Sequence, residues 1–104
     1  MISYKNPYVF NFSMKKAVKL IIKGIVQDVF FRTFVKEEAD KLGLYGFVRN
    51  LENGNVEVCV EGDIDNVDRL IEICKKGSKH AVIKDVKVDE IKFQDFKDFK
   101  ILHI

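Results

Sequence analysis

The chain has 104 residues, which is the size of a single domain. Hydrophobic residues make up 47% of it, enough for a packed core, and this argues against global disorder. The formal net charge of +2 is too small to indicate a nucleic-acid-binding protein by itself, although it mildly favours small anionic ligands.

The sequence shows neither a membrane span nor a secretion signal. Its longest apolar stretches, such as residues 20–22, fall far short of the roughly 20 residues that a span needs. The N-terminal region carries Lys5, Asn6 and Pro7 early and lacks an apolar stretch followed by a cleavage site. We therefore expect a cytoplasmic protein without a membrane partner, and we expect it to act as a monomer.

The first residues differ in composition from the rest of the chain. Residues 1–13 are rich in aromatic side chains and contain Pro7, whereas Met14 opens a regular strand pattern. We therefore divide the chain into an N-terminal extension of residues 1–13 and a domain of residues 14–104. The extension is either sequence upstream of a natural start at Met14 or an arm that covers a sheet edge.

The apolar periodicity predicts seven elements in chain order. Gly43 and Gly77 are natural ends for the two helices, and Asn53-Gly54 predicts a type I′ hairpin turn. The predicted elements are a strand over 17–23, a helix over 31–42, strands over 46–52 and 55–61, a helix over 63–76, and strands over 82–92 and 99–104.

This order, β-α-β-β-α-β plus a short terminal strand, predicts a ferredoxin-like α/β sandwich of the α+β class. Two helices would cover one face of a mostly antiparallel sheet. The other face would be wet and would carry Glu57 and Cys59 beside Phe47, which is not the aromatic platform that single-stranded RNA needs. We therefore expect no nucleic-acid partner. Cys74 falls on the apolar face of a helix, so both thiols are predicted to be reduced and unpaired.

Two segments carry groups suited to an anion. Residues 24–32 form a strand-loop-helix junction, where free backbone N–H groups and the helix dipole attract negative charge. Arg32 lies at the helix start and can donate to two phosphate oxygens at once. Residues 46–50 end a strand at Asn50, which can both donate to and accept from a water molecule. Considered without any resemblance, an arginine near a helix start is more often a solvated or structural residue, so that role for Arg32 stays open here.

The two segments together resemble the acylphosphatase family, and the likeness extends over residues 16–104. The family signature is close to Gly-x-Val-Gln-Gly-Val-x-Phe-Arg followed by Gly-x-Val-x-Asn. The matching residues are Gly24-Ile25-Val26-Gln27-Asp28-Val29-Phe30-Phe31-Arg32 and Gly46-Phe47-Val48-Arg49-Asn50. The resemblance implies a hydrolase that converts a small-molecule acyl phosphate to a carboxylate and inorganic phosphate, with no metal, no cofactor and no covalent intermediate.

The resemblance also implies roles for individual residues. Arg32 would bind the phosphoryl group and Asn50 would orient the attacking water. The implied phosphate-binding loop, which supplies backbone amides, consists of Val26, Gln27, Asp28, Val29, Phe30 and Phe31. His80 and His103 lie outside both segments, and we interpret them as incidental.

Asp28 departs from the family pattern, which usually has glycine there. At a separation of about 5 Å and an effective dielectric constant near 20, a carboxylate and a phosphate charge repel by roughly 3 kcal/mol. Half of that weakens binding about tenfold. Two interpretations stay open: either Asp28 faces water and activity survives, or the chain is an acylphosphatase-like anion-binding or interaction module with weak or no catalysis.

Overall fold

Five β-strands form one sheet in the computed structural model, which describes residues 14–27 and 30–103. The strands are β1 (Lys15–Ile25), β2 (Tyr45–Asn50), β3 (Val56–Asp63), β4 (Val82–Glu90) and β5 (Phe99–Leu102). Their order across the sheet is β4-β1-β3-β2-β5. All neighbours are antiparallel except β2 and β5, which are parallel. The predicted extension of residues 1–13 lies outside the described residues.

Two helices, α1 (Phe31–Lys41) and α2 (Ile64–Lys76), cover one face of the sheet. α1 packs against β2 and β5, and α2 packs against β1, β3 and β4. The ferredoxin-like α+β prediction is therefore confirmed, and both helices begin and end within one residue of their predicted limits. Among the described residues, no helix is both long and apolar enough to cross a membrane. The fully buried core includes Leu20, Ile22, Phe31, Val35, Val48, Val58, Val60, Val67 and Leu70.

The turn between β2 and β3 differs from the predicted type I′ turn. The strands stop pairing at Asn50, and the Gly54 amide donates to the Leu51 carbonyl at 3.2 Å. The Leu51 amide in turn donates to the Asn55 carbonyl at 2.8 Å. Gly54 has a positive φ of 93°, but Asn53 does not, so the loop is a three-residue turn closed by a glycine.

The sheet face away from the helices is covered where the sequence predicts a wet surface. β4 and β5 lie at opposite edges of the sheet, so the chain between them has to cross it. The amides of Gln94 and Phe96 in this connection donate to the Glu61 carboxylate at 2.8 and 3.0 Å. The Phe96 ring packs edge-on against Phe47, with ring centroids 5.8 Å apart. The prediction of an exposed polar face is therefore wrong for β3.

Both cysteines are free and buried, which confirms the prediction of unpaired thiols. Burial, with a smaller contribution from the neighbouring Glu57 carboxylate, raises the pKa of Cys59 to about 11, although Lys19 and Arg49 oppose the change. Burial alone raises the pKa of Cys74 to about 12. Because the thiolate is the reactive form, neither side chain is suited to nucleophilic chemistry at neutral pH.

Candidate functional site

The loop between β1 and α1 is anchored in the core at both ends. Val26 follows β1 and is 1% exposed, and Phe31 begins α1 and is fully buried. Of the described residues between these anchors, Gln27 is half-buried and Phe30 is 85% exposed. Asp28 and Val29, which complete the predicted phosphate-binding loop, lie outside the described residues. The predicted strand-loop-helix junction is thus present, with its two apolar ends fixed by packing.

Neighbouring strands explain the glycines that open the two segments. A Cβ atom on Gly24 would lie 1.9 Å from the Val82 carbonyl oxygen, and one on Gly46 would lie 1.9 Å from the Cys59 carbonyl oxygen. Both glycines also have a strongly positive φ, 148° and 145°. No other residue fits these positions without moving a neighbouring strand. These glycines therefore set the backbone path that leads into the loop and along β2.

The N-terminus of α1 carries no compensating negative charge within the helix. Phe30 precedes the helix in a left-handed conformation, with φ 57° and ψ 29°, and its apolar side chain makes no capping hydrogen bond. The first turn contains no acidic residue. The first helical hydrogen bond runs from the Phe34 amide to the Phe30 carbonyl at 3.1 Å, so the preceding helix amides have no partner within the helix. This end of α1 is a favourable place for an anion.

Arg32 is half-buried in the first turn of α1, and its guanidinium reaches β5. Its Nη1 donates to the Leu102 carbonyl at 3.2 Å and lies 3.3 Å from His103 Nδ1. Arginine has no acceptor, so this second contact is a hydrogen bond when Nδ1 is unprotonated. Both contacts use the same nitrogen, which leaves the other guanidinium N–H groups available to a ligand.

The Arg32 guanidinium and the start of α1 share a cleft of about 240 Å³. Because residues from the loop, α1 and β5 meet there, the cleft brings together parts of the chain that are distant in sequence. Its lining includes Gln27, Phe30, Arg32, Thr33, Ile101 and His103. The lining thus combines a cation and polar side chains with apolar surface.

Asn50 lies at the end of β2, beside this cleft but not in its lining. Arg49 is the register partner of Leu102, whose carbonyl accepts from Arg32. Asn50 is therefore one residue away from the strand position that holds the arginine. Its Oδ1 is buried and accepts no hydrogen bond from the described residues. A buried oxygen of this kind is ready to accept from a bound molecule.

Gln27 connects the loop to the β2–β3 hairpin through its side chain. Its Nε2 donates to the Leu51 carbonyl at 2.7 Å and to the Asn55 carbonyl at 2.9 Å. The sequence predicts only that Gln27 supplies a loop amide, so this tie was missed. Both acceptors are backbone groups more than 20 positions away, and no local pattern could indicate them.

His103 lies outside both segments, and from the sequence it is interpreted as incidental. The structure nevertheless places it against Arg32. The parallel pairing of β5 with β2 brings it to the site. Thr33 and Ile101, which line the same cleft, were likewise not singled out. Among the side chains that the structure describes, no group of three or more His, Cys, Asp or Glu residues could hold a metal ion.

Comparisons with known proteins identify relatives of this chain. The family model for acylphosphatases matches residues 18–101. An acylphosphatase from Caldivirga maquilingensis is 44% identical over 86 residues, which cover 81% of this chain and 90% of that protein. An acylphosphatase from Syntrophus aciditrophicus is 41% identical over 91 residues, which cover 86% of this chain and 95% of that protein.

A solved structure has the same fold at clear sequence identity. The crystal structure of an acylphosphatase from Bacillus subtilis matches with a TM-score of 0.81 and 36% identity, covering 86% of this chain and 99% of that one. A family model that spans most of the chain, together with relatives above 40% identity, establishes the relationship. The chain belongs to the acylphosphatase family.

Proposed function

We propose that this protein is an acylphosphatase that hydrolyses a small-molecule acyl phosphate to a carboxylate and inorganic phosphate without using a metal. The observation that carries the proposal is the position of Arg32 in a cleft at the N-terminus of α1, whose first turn has no carboxylate. Similarity to relatives named acylphosphatase supports the same activity. Neither observation supports the alternative of impaired catalysis.

The phosphoryl group binds between the start of α1 and Arg32. The guanidinium N–H groups not used by Leu102 donate to the phosphoryl oxygens. The loop of residues 26–31 and the first amides of α1 supply further donors, and the helix dipole adds partial positive charge. Contacts with Leu102 and His103 hold the arginine in place, so less side-chain entropy is lost when the ligand binds.

Asn50 holds the attacking water. Its buried Oδ1 accepts a hydrogen bond from the water and turns the water oxygen toward phosphorus. The water oxygen forms a bond to phosphorus while the bond between phosphorus and the bridging acyl oxygen breaks. The electron pair of the broken bond leaves with the carboxylate, and the proton lost by the water ends on phosphate or solvent. A carboxylate is a good leaving group, so positioning and charge stabilisation suffice.

We further propose that the domain covers residues 14–104, with residues 1–13 as an extension, and that it acts as a cytoplasmic monomer. All the groups assigned to the reaction belong to one chain, which supports a site that needs no second copy. The proposed partners are small molecules only, with no nucleic acid and no membrane. On the sheet face away from the helices Phe47 packs against Phe96, which supports the absence of a base-stacking surface.

Benzoyl phosphate hydrolysis tests the proposed function. We expect Arg32→Ala to lower kcat/KM by about 100-fold to 1,000-fold, since it removes a charged donor from the transition state. We expect Asn50→Ala to lower kcat by about 100-fold, because the water loses its orientation. Arg69→Ala is the matched control, since Arg69 is exposed on α2 away from the cleft. Wild-type turnover no faster than that of Arg32→Ala would contradict the proposal.

A further inference from the structure

We propose that Phe30 binds the acyl group of the substrate and that the protein therefore prefers acyl phosphates with aromatic or other bulky apolar acyl groups. This inference rests on the proposed function and extends it to the half of the substrate that Arg32 and Asn50 do not contact. It is carried by three observations on the described residues: the exposure of Phe30, its backbone conformation and its place in the cleft.

Phe30 presents more of its surface to solvent than any other large apolar side chain that the structure describes. It is 85% exposed, whereas the next residue along the chain, Phe31, is fully buried in the core. A phenyl ring left in water gives up the stabilisation that burial would provide. The two adjacent phenylalanines thus have different roles. Phe31 anchors α1 in the core, and Phe30 presents apolar surface beside the site.

The backbone at Phe30 holds the ring in this position. Its φ of 57° and ψ of 29° fall in the left-handed region, which bulky residues rarely adopt. Such a conformation persists where the surrounding structure imposes it, and it recurs at ligand sites. The residue that follows Phe30, Phe31, is anchored in the core, and Gln27, three positions before Phe30, is hydrogen-bonded to the hairpin.

The cleft places the ring where an acyl group would have to lie. Phe30 and Arg32 line the same cleft and are two positions apart in the chain. In an acyl phosphate a single oxygen joins phosphorus to the acyl carbon, so the acyl group extends outward from the phosphoryl site within a few bonds. Ile101 contributes a second apolar side chain to the cleft. A benzoyl group can contact both side chains, whereas an acetyl group offers only a methyl.

Paired substrates test the proposal on the intact protein. We would measure kcat/KM for benzoyl phosphate and acetyl phosphate with the wild type, Phe30→Ala and Phe30→Leu. The phosphoryl chemistry is common to both substrates, so the ratio of the two values isolates acyl recognition. We expect Phe30→Ala to lower the benzoyl-to-acetyl ratio about fivefold to tenfold. Phe30→Leu, which keeps apolar surface, should give an intermediate ratio.

Phe93→Ala is the matched control. Phe93 is 50% exposed in the connection between β4 and β5, and it does not line the cleft. We expect it to leave the ratio unchanged. Inhibition by inorganic phosphate provides a second measurement, because phosphate occupies the phosphoryl site without an acyl group; its inhibition constant should change less than the benzoyl phosphate KM in Phe30→Ala.

An unchanged benzoyl-to-acetyl ratio in Phe30→Ala would overturn the proposal, because the ring would contribute no acyl contact. If both kcat/KM values fall equally in that case, Phe30 only shapes the loop. If Phe30→Ala fails to fold, the ratio measured with Phe30→Leu decides in the same way. Failure of the wild type to hydrolyse either substrate would instead contradict the proposed function itself.

Discussion

The two helices of this protein begin in opposite electrostatic settings. α2 starts after Asp63 and carries Asp65 in its first turn. Its first amide, that of Ile64, donates to the Met14 carbonyl at 2.9 Å. The partial positive charge at this end is therefore met by groups of the chain itself, as is usual for a helix start in a folded domain.

α1 has the same dipole, but it begins after an apolar residue, Phe30, and has no carboxylate in its first turn. That turn carries Arg32 instead, which adds positive charge where α2 has negative charge. The comparison teaches that a helix N-terminus becomes suited to a ligand anion when its first turn carries a cation in place of a carboxylate. The following predictions either remove this difference or refine it.

Introducing a carboxylate into the first turn of α1 would make it resemble α2. Thr33 is exposed and lines the cleft, so Thr33→Glu places a negative charge near the bound phosphoryl group. We expect kcat/KM for benzoyl phosphate to fall about tenfold or more, from repulsion of roughly 1.5–3 kcal/mol. Thermal stability should rise slightly, since the charge favours the helix dipole. Thr33→Gln has nearly the same shape, and equal losses in both variants would contradict the electrostatic explanation.

Asp28 is the acidic residue that precedes α1 in the sequence, and its removal tests the same idea in reverse. We expect Asp28→Gly to raise kcat/KM or phosphate affinity by up to about tenfold, since a charge that repels phosphate is lost. Asp28→Gly removes the charge and also makes the backbone more flexible, whereas Asp28→Asn removes the charge and keeps a side chain. Comparing the two variants therefore shows which of these effects matters. Kinetics with benzoyl phosphate would measure both. No gain in either variant would remove the argument that Asp28 weakens binding.

The tie between Gln27 and the hairpin determines how firmly the loop before α1 is held. Gln27→Ala removes two hydrogen bonds to the carbonyls of Leu51 and Asn55. We expect the free energy of unfolding to fall by about 1–2 kcal/mol, and kcat/KM to fall severalfold because the loop amides lose their alignment. Urea denaturation and steady-state kinetics measure the two effects. Lower stability with full activity would show that the contact is structural only.

The smallest effect is expected at α2, where the compensating carboxylate has no catalytic role. We expect Asp65→Asn to lower the free energy of unfolding by about 0.3–1 kcal/mol, since a favourable charge near the helix N-terminus is lost. Hydrolysis of benzoyl phosphate should not change, because α2 packs away from the cleft. Asp85→Asn on the exposed edge strand β4 is the control for loss of an acidic residue elsewhere. If Asp65→Asn changes the activity and Asp85→Asn does not, the claim that only the start of α1 takes part in hydrolysis is wrong.

Periodicity predicts most of the fold because β1 and the two helices each bury one face. The alternation of Val18, Leu20 and Ile22 matches their burial in β1, and the two helices lie within one residue of their predicted limits. The burial of Glu61 could not be predicted in this way. Its carboxylate accepts from the connection between β4 and β5, and the need for that crossing follows from the strand order rather than from any local pattern.

The candidate site likewise has a part that is local in sequence and a part that depends on contacts between distant positions. The strand-loop-helix junction around Arg32 is continuous in sequence, so its residue types and spacing could indicate it. The contacts of Arg32 with Leu102 and His103 join positions about 70 residues apart. The side-chain bonds of Gln27 to the hairpin are also long-range. These contacts arise from parallel pairing and turn geometry, which no single segment encodes.

The separation of 70 residues between Arg32 and its acceptor at Leu102 has a kinetic consequence. Forming contacts between distant positions slows folding, because the intervening chain must first lose the entropy of loop closure. A single domain of this size folds in one cooperative step. We therefore expect catalytic activity and helical circular dichroism to return together during refolding, at the slow rate that long-range strand pairing imposes.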